Sequence, residues 1–316
     1  MAVYTEVSEQ ELTHFIAQYD IGAYVSHAGI ADGVSNTNYD LRTDKGRYIL
    51  TLFEPKRVAA EDVPFFMAYA DALQKGGVNS PEVMCDRQGN FVHTLCDRPA
   101  CIVRFLSGKA VDKAEITSDN CRKVGATLAK MHLIGDDFEH RKINRFGLEK
   151  WNGWFTRYKE TLNKAKNGLG LSIFTLLTEL NHNWPEGLPR GAIHGDFFPD
   201  NVFFKNFEIS GVIDFHFACT DLFIYDLAIA VNAWCFDRNI EFVNERFQAL
   251  VQGYQSVRPL TPAETKVLPL MLRAAALRFL LSRIEEYVEH KENATMTPHD
   301  PRAFIKRLEF FTNEHK

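Results

Sequence analysis

The sequence predicts an α+β chain in which an antiparallel five-stranded sheet with one helix comes first and a mainly helical part follows. Three observations carry that reading. The first third of the 316 residues alternates short apolar runs with turn residues. From about residue 118 onward, apolar residues recur at the 3.6-residue period of buried helix faces. Between the helical stretches, residues 192–217 carry short β-type runs and a cluster of polar residues that break the pattern. A chain of this length exceeds what one hydrophobic core usually serves, so two lobes are expected. Their hinge is placed at Leu106-Ser107-Gly108-Lys109, with 1–106 and 107–316 as the two lobes of one unit.

The elements follow in order. Residues 24–30 and 39–42 read as short strands, and 47–53 (RYILTLF) is an apolar run bounded by Lys45-Gly46 and Pro55. The turn Thr43-Asp44-Lys45-Gly46 joins the second and third as a hairpin. A helix over 60–75 is stopped by Gly76-Gly77. Residues 82–86, 91–95 and 100–105 read as further strands, the first two separated by Arg87-Gln88-Gly89-Asn90. Ser118 is a candidate cap for a helix whose Cys121, Val124, Leu128 and Met131 share one face, and Asp119 suits its first turn. Helical patterns also cover 151–166, 171–183, 222–236, 239–252 and 264–290, while 202–204 and 209–213 read as strands.

Composition narrows the function. Lysine and arginine number 36 against 41 aspartates and glutamates, a formal net charge of −5, and no dense basic cluster stands out. Nucleic acid is therefore not an expected partner, although a small anionic substrate is compatible with a local pocket. The six cysteines show neither C-x-x-C pairing nor histidines at zinc spacing, so reduced buried thiols in the cytoplasm are expected. No apolar stretch is long enough to span a bilayer, and the opening residues carry Glu6 and Glu9 where a secretory signal would be basic and then apolar.

The segment that carries chemistry is Ile193-His194-Gly195-Asp196-Phe197-Phe198-Pro199-Asp200-Asn201-Val202, followed by Gly211-Val212-Ile213-Asp214-Phe215. Asp196 stands five residues before Asn201, and Asn201 thirteen before Asp214. Phosphoryl transfer to an alcohol needs a carboxylate that accepts or orients the hydroxyl proton, and Asp196 sits in a loop where it can do so. Magnesium prefers hard oxygen donors, which the Asn201 amide and the Asp214 carboxylate supply. Two flanking β-runs can pair and bring both to one ion. The arrangement matches the catalytic-loop Asp, Asn and downstream Asp of the kinase template. Either residue alone would read as a turn or cap; the joint spacing makes the pattern specific.

These motifs resemble the aminoglycoside phosphotransferase and choline kinase superfamily, distant relatives of protein kinases, over nearly the whole chain. Several stretches resemble its bacterial homoserine kinases more narrowly: 29–38, 48–54, Val63-Pro64-Phe65-Phe66, 212–235 (VIDFHFACTDLFIYDLAIAVNAWC) and 272–284 (LRAAALRFLLSRI). The resemblance implies a protein-kinase-like bilobal fold and an ATP- and Mg²⁺-dependent transfer of the γ-phosphoryl group to the hydroxyl of L-homoserine, in threonine biosynthesis. It implies Asp196 as catalytic base, Asn201 and Asp214 as metal ligands, and a phosphate-covering loop over 31–36 that offers Gly33, Ser35 and Asn36. Asp226 would brace the catalytic loop from a helix start. Competing acceptors are choline, a methylthio-sugar or an aminoglycoside; a non-catalytic nucleotide-binding protein is the reading from another class. Oligomeric state is not legible.

The sequence departs from the kinase pattern in places. Thr51 occupies the position of the third-strand lysine and offers a hydroxyl without charge, so another cation (Arg42, Lys56, Arg57 or Arg104) must act there. Arg104 reads as an adenine-side or structural residue. Glu61 and Asp62, the candidate helix acids, have no evident partner. Phe198 stands where protein-serine kinases have lysine, which argues against protein substrates. His216 replaces the glycine after Asp-Phe and could approach substrate or be structural, and His194 reads as a scaffold for the Asp196 loop. For the amino-acid end of the acceptor, Asp221, Asn232, Trp234, Arg278 and Arg283 are candidates.

Overall fold

A computed structural model of the chain describes residues 4–30, 36–55, 58–289 and 300–313. Its elements in the first part are α1 (Glu9–Ile16), β1 (Tyr24–Gly29), β2 (Asn36–Thr43), β3 (Gly46–Phe53), α2 (Val63–Lys75), β4 (His93–Leu95), β5 (Arg98–Arg104) and the short β6 (Lys109–Ala110). They continue as α3 (Ser118–Asp137), α4 (Leu148–Ala165), α5 (Leu169–Asn183), β7 (Arg190–Ile193), β8 (Val202–Lys205), β9 (Glu208–Val212) and β10 (Cys219–Leu222). The last helices are α6 (Phe223–Trp234), α7 (Asn244–Gln255), α8 (Pro262–Glu289) and α9 (Arg302–Asn313). The α+β character holds: an antiparallel five-stranded sheet in the order β1-β2-β3-β5-β4 precedes a helical remainder. Among the described residues, no helix is long and apolar enough to cross a membrane.

The chain divides into two compact units. One comprises Met1–Lys109, Phe138–Lys142 and Asn201–Phe217; the other comprises Ala110–Asp137, Ile143–Asp200 and Ala218–Lys316. The first unit thus groups the β8–β9 hairpin with the N-terminal residues, whereas the sequence reading assigns it to 107–316.

In the first unit, β2 and β3 pair with Thr43 opposite Gly46, which leaves Asp44-Lys45 as a two-residue turn. Along β2, Tyr39, Leu41 and Thr43 are buried while Asp40 and Arg42 are not, the period-two alternation of a half-buried strand. Helix α1 packs Leu12, Phe15 and Ile16 into the same core as Leu41, Leu50, Leu52 and Ile102. It starts at a capping box: Glu11 N–H donates to Ser8 Oγ (3.3 Å) and Ser8 N–H to Glu11 Oε2 (2.8 Å). Residues 82–86 do not form a regular strand. Met84 N–H and Glu82 C=O bond only to β5 at Ile102 and Arg104 (2.9 Å each), beyond the stretch of β5 that β4 already occupies. The outer edge of β5 is therefore shared by two short segments.

The second unit is built on helix α6, which is buried on every side, its two polar residues Asp226 and Asn232 included. Helix α3 is capped by Thr117 and not by Ser118: Asn120 N–H donates to Thr117 Oγ1 (3.1 Å), and Thr117 N–H donates back to Asn120 Oδ1 (2.9 Å). This helix crosses β7 at close range. A Cβ on Gly135 would lie 2.2 Å from the carbonyl oxygen of Ala192, and one on Gly191 would lie 2.3 Å from that of Gly135. Strand β7 pairs with β10, Ile193 opposite Cys219. That pairing, made of four-residue strands, is absent from the sequence reading, as is α9.

Candidate active site

The loop 194–196 leaves β7 and is held from below by one buried carboxylate. Asp226, in the first turn of α6 and without solvent exposure, accepts from His194 N–H through Oδ2 and from Gly195 N–H through Oδ1, each at 2.9 Å. His132 of α3 reaches the same Oδ2 with Nε2 at 3.1 Å, and its Nδ1 meets the Tyr254 hydroxyl at 2.7 Å. Burial acts to raise the Asp226 pKa, but the hydrogen bonds from His132 and from the His194 amide outweigh it and hold the carboxyl below its usual range. Burial pushes His132 down, against the pull of Asp226, so a neutral imidazole faces an ionised carboxylate. Gly195 adopts φ +74°, a left-handed turn that a side chain would strain, and this bend delivers Asp196.

Asp196 N–H points back to His194 Nδ1 at 3.3 Å, and Phe198 N–H donates to the Asp196 carbonyl at 2.8 Å. His194 is fully buried, in keeping with a scaffold. Trp234 Nε1–H fixes the next carbonyl, that of Phe197, at 2.8 Å. The Asp196 side chain keeps 19% exposure, and Arg278 Nη1 stands 3.9 Å from its Oδ1. A carboxylate on a braced loop, in part open to solvent and beside a buried cation, can accept a proton from an alcohol.

The second set of residues lies on the β8–β9 hairpin. Val202 pairs with Val212, and Ile213 N–H donates to the Asn201 carbonyl at 3.0 Å, so the strand ladder sets Asn201 against the segment that leads to Asp214. Asn201 is 6% exposed. Asp214 has φ +67°, an uncommon conformation for a non-glycine residue, which redirects the chain just past the ladder. His216 Nδ1 touches Asp214 Oδ1, and its ring packs on Phe217 at 4.0 Å. Among the described residues, no three His, Cys, Asp or Glu side chains gather as a metal site. An amide oxygen and one carboxylate still suit magnesium, which keeps waters and phosphate oxygens in its shell and needs few protein ligands.

The nucleotide-side candidates fall as follows. Gly33 and Ser35, like Lys56 and Arg57, lie outside the described residues. Asn36 opens β2, buried, with Oδ1 accepting from Glu54 N–H at 3.4 Å. Thr51 of β3 donates its hydroxyl to Asn38 Oδ1 across the sheet at 2.7 Å, so the residue expected at the kinase lysine position is engaged in a neutral polar pair. Arg104 ion-pairs with Glu82 and lies 5.4 Å over the Tyr48 ring. Arg42 pairs with Asp40 at 3.5 Å. Asp62 does find a cation, which sequence reasoning missed: Lys142 Nζ lies 3.5 Å from its carboxylate, with both side chains nearly buried, and 5.2 Å over the Phe66 ring.

Of the acceptor-side candidates, Arg278 stands beside the Asp196 carboxylate and Trp234 holds the carbonyl of the residue that follows it. Asn232 Nδ2 donates to the carbonyls of Ala228 and Leu272, Asp221 accepts from Asn144 Nδ2 at 2.7 Å, and Arg283 pairs with Glu286 at 3.1 Å. His132 and Tyr254 were missed as well. The available signal was a histidine four residues after Leu128, on the apolar face of α3.

The sequence profile of the phosphotransferase enzyme family matches residues 26–260. A homoserine kinase of Parvibaculum lavamentivorans is 43% identical over 310 residues, covering 98% of this chain and 96% of its own. One from Rhodopseudomonas palustris is 44% identical over 314 residues, covering 99% and 95%. Among solved structures, the amicoumacin kinase hAmiN superposes with a TM-score of 0.71 at 16% identity, over 98% of this chain and 93% of its own, and so shares the fold. On the full-length identity, the chain belongs to the phosphotransferase enzyme family, among its homoserine kinases.

Proposed function

We infer that this chain is a homoserine kinase, which moves the γ-phosphoryl group of ATP to the side-chain hydroxyl of L-homoserine and so forms O-phospho-L-homoserine on the way to threonine. The observation that carries this reading is identity of 43–44% with homoserine kinases over essentially the whole chain. Choline, methylthio-sugars and aminoglycosides are the acceptors to be compared. The six cysteines are free thiols, which suits a reducing cytoplasm.

In this reading Asp196 orients the acceptor hydroxyl and takes its proton. The hydroxyl oxygen forms the new P–O bond, the bond between the γ-phosphorus and the bridging oxygen breaks, and its electrons leave on ADP. Asn201 and Asp214 would hold Mg²⁺. A bound Mg²⁺ supplies charge neutralisation across the phosphates. Gly33, Ser35, Asn36 and Thr51 would serve the nucleotide, Arg104 would stand on the adenine side, and residues 107–316 would carry the acceptor. Asp226 keeps the loop amides of His194 and Gly195 engaged, so Asp196 needs little rearrangement during turnover.

The test is an acceptor panel. Purified protein with ATP, Mg²⁺ and one of L-homoserine, choline, 5-methylthioribose or kanamycin is followed by ADP release. We expect homoserine to give the highest kcat/KM. A higher value for another alcohol would reassign the substrate, and release no faster than in an acceptor-free control would end the kinase reading.

A further inference from the structure

We propose that Arg278 is the receptor for the α-carboxylate of the amino-acid acceptor, and thereby the residue that makes the enzyme prefer an amino acid to a simple amino alcohol. The inference rests on the proposed homoserine kinase activity and names the side chain that reads its substrate.

Position comes first. Arg278 projects from α8 with 5% side-chain exposure, and its Nη1 is 3.9 Å from Asp196 Oδ1. That distance is within ion-pair range but longer than a hydrogen bond, so the two groups share a neighbourhood without closing on each other. An acceptor whose hydroxyl engages Asp196 therefore places the rest of a short molecule beside Arg278. L-homoserine carries its carboxylate only a few bonds from that hydroxyl.

Presentation comes second. The guanidinium carbon lies 3.8 Å from the centre of the Phe279 ring and 5.3 Å from that of Phe146. Phe279 packs against Phe198, two residues past Asp196, at 4.7 Å, and stacks on Phe304 at 5.3 Å and 19°. The cation and the Asp196 loop thus belong to one packed aromatic body. A guanidinium held on ring faces presents its N–H fork in plane, the geometry that receives a carboxylate in bidentate fashion.

Charge balance comes third. Arg307 is 5% exposed and lies 4.4 Å over the Phe304 ring, and its Nε has no hydrogen-bond partner among the described residues. Burial, with Arg283 nearby, pushes Arg307 down to about 10. Burial likewise pulls Arg278 down, with Arg283 adding to it and Asp196 opposing. A buried region rich in arginine gains from an incoming anion.

The experiment compares L-homoserine with 3-aminopropan-1-ol, which keeps the hydroxyl and the ammonium and lacks the carboxylate. In the wild-type enzyme we expect kcat/KM to favour homoserine by about 10³-fold or more, because a site built for a polar group rejects the analogue without it. In Arg278→Gln that preference falls to within about tenfold of unity, and Arg278→Lys, with charge but no fork, lies between. Thermal melting of both variants reports folding, and the lysine variant carries the comparison if glutamine unfolds the protein. Equal losses on both substrates, with the preference intact, would overturn the assignment and leave Arg278 as a positioning residue for Asp196. Failure of the wild-type enzyme to phosphorylate homoserine at all is a different result: it overturns the proposed function, and this assignment with it.

Discussion

The Asp196 loop and the hairpin that bears Asn201 and Asp214 are held by opposite means. The loop is braced by a relay of side chains from distant helices: Asp226 from α6 accepts from two backbone amides, His132 from α3 bonds Asp226, and Tyr254 from α7 bonds His132, all in the interior. The hairpin is held by its own backbone ladder and by residues in left-handed conformations, Asn206 (φ +52°) and Phe207 (φ +66°) at the turn and Asp214 (φ +67°) at the exit. The difference teaches where precision is required. A proton acceptor must meet one hydroxyl at hydrogen-bond distance, which rewards a rigid buried brace. Oxygen ligands to a hydrated ion tolerate a less enclosed mount, and Asp214, the proposed ligand, keeps 40% side-chain exposure.

The contrast is sharpened first by Asp196→Asn. The substitution keeps the shape and removes the proposed proton acceptor. We expect kcat to fall by about 10³-fold or more, with ATP affinity within a few-fold of wild type. An unchanged kcat would remove Asp196 from the chemistry. Asp214→Asn should produce a different signature. Turnover falls by about 10²- to 10³-fold, and isothermal titration loses the Mg²⁺ dependence of nucleotide binding, which Asp196→Asn retains. Two variants with the same binding profile would break the proposed division between loop and hairpin.

How much of this was legible can be argued residue by residue. Asp196, Asn201 and Asp214, the proposed site residues, stood out because their residue types fall at the kinase spacing within one stretch of chain. Asp226 was legible only through family resemblance. The rest of the brace was hidden by distance: His132 lies 94 positions from Asp226 and 122 from Tyr254. Lys142 was hidden in the same way, since nothing local ties it to Asp62. The helical remainder was readable from apolar spacing, but β7 and β10 are too short to show a period. Helix α1 was overlooked although Ser8 and Glu11 spell its capping box, and the Ser118 cap was misplaced by one residue because Thr117 and Ser118 are both plausible caps.

A smaller effect follows from the brace. A histidine held neutral has a folded pKa below its ordinary 6.5, so between the two values the unfolded chain binds a proton that the folded chain does not. Stability conferred by His132 is full above 6.5 and declines as pH falls through that window. Asp226, also depressed, adds a further loss in the carboxylate range, because its contribution is present above the unfolded pKa and disappears as pH falls through the folded one. Denaturant midpoints measured from pH 8 to 5 should therefore decline on acidification, by at most about 1.4 kcal/mol per pH unit for the one histidine, and His132→Asn should flatten the decline. A slope that survives the substitution would place the pH sensitivity elsewhere.

The hairpin makes the smallest prediction. Phe207 is 84% exposed and sits in the left-handed region of a two-residue turn. Glycine is at ease there, so Phe207→Gly should raise stability by about 0.5–1 kcal/mol in chemical denaturation. A loss of stability would show that the aromatic ring contributes more than the turn conformation costs.

The central claim is tested most directly by the identity of the product. The enzyme, ATP, Mg²⁺ and L-homoserine are incubated and examined by phosphorus NMR. The account predicts one ADP per phosphomonoester formed, with the phosphorus coupled to the side-chain methylene protons next to oxygen. ADP release that does not depend on homoserine, or phosphate carried on the carboxyl group, would contradict it.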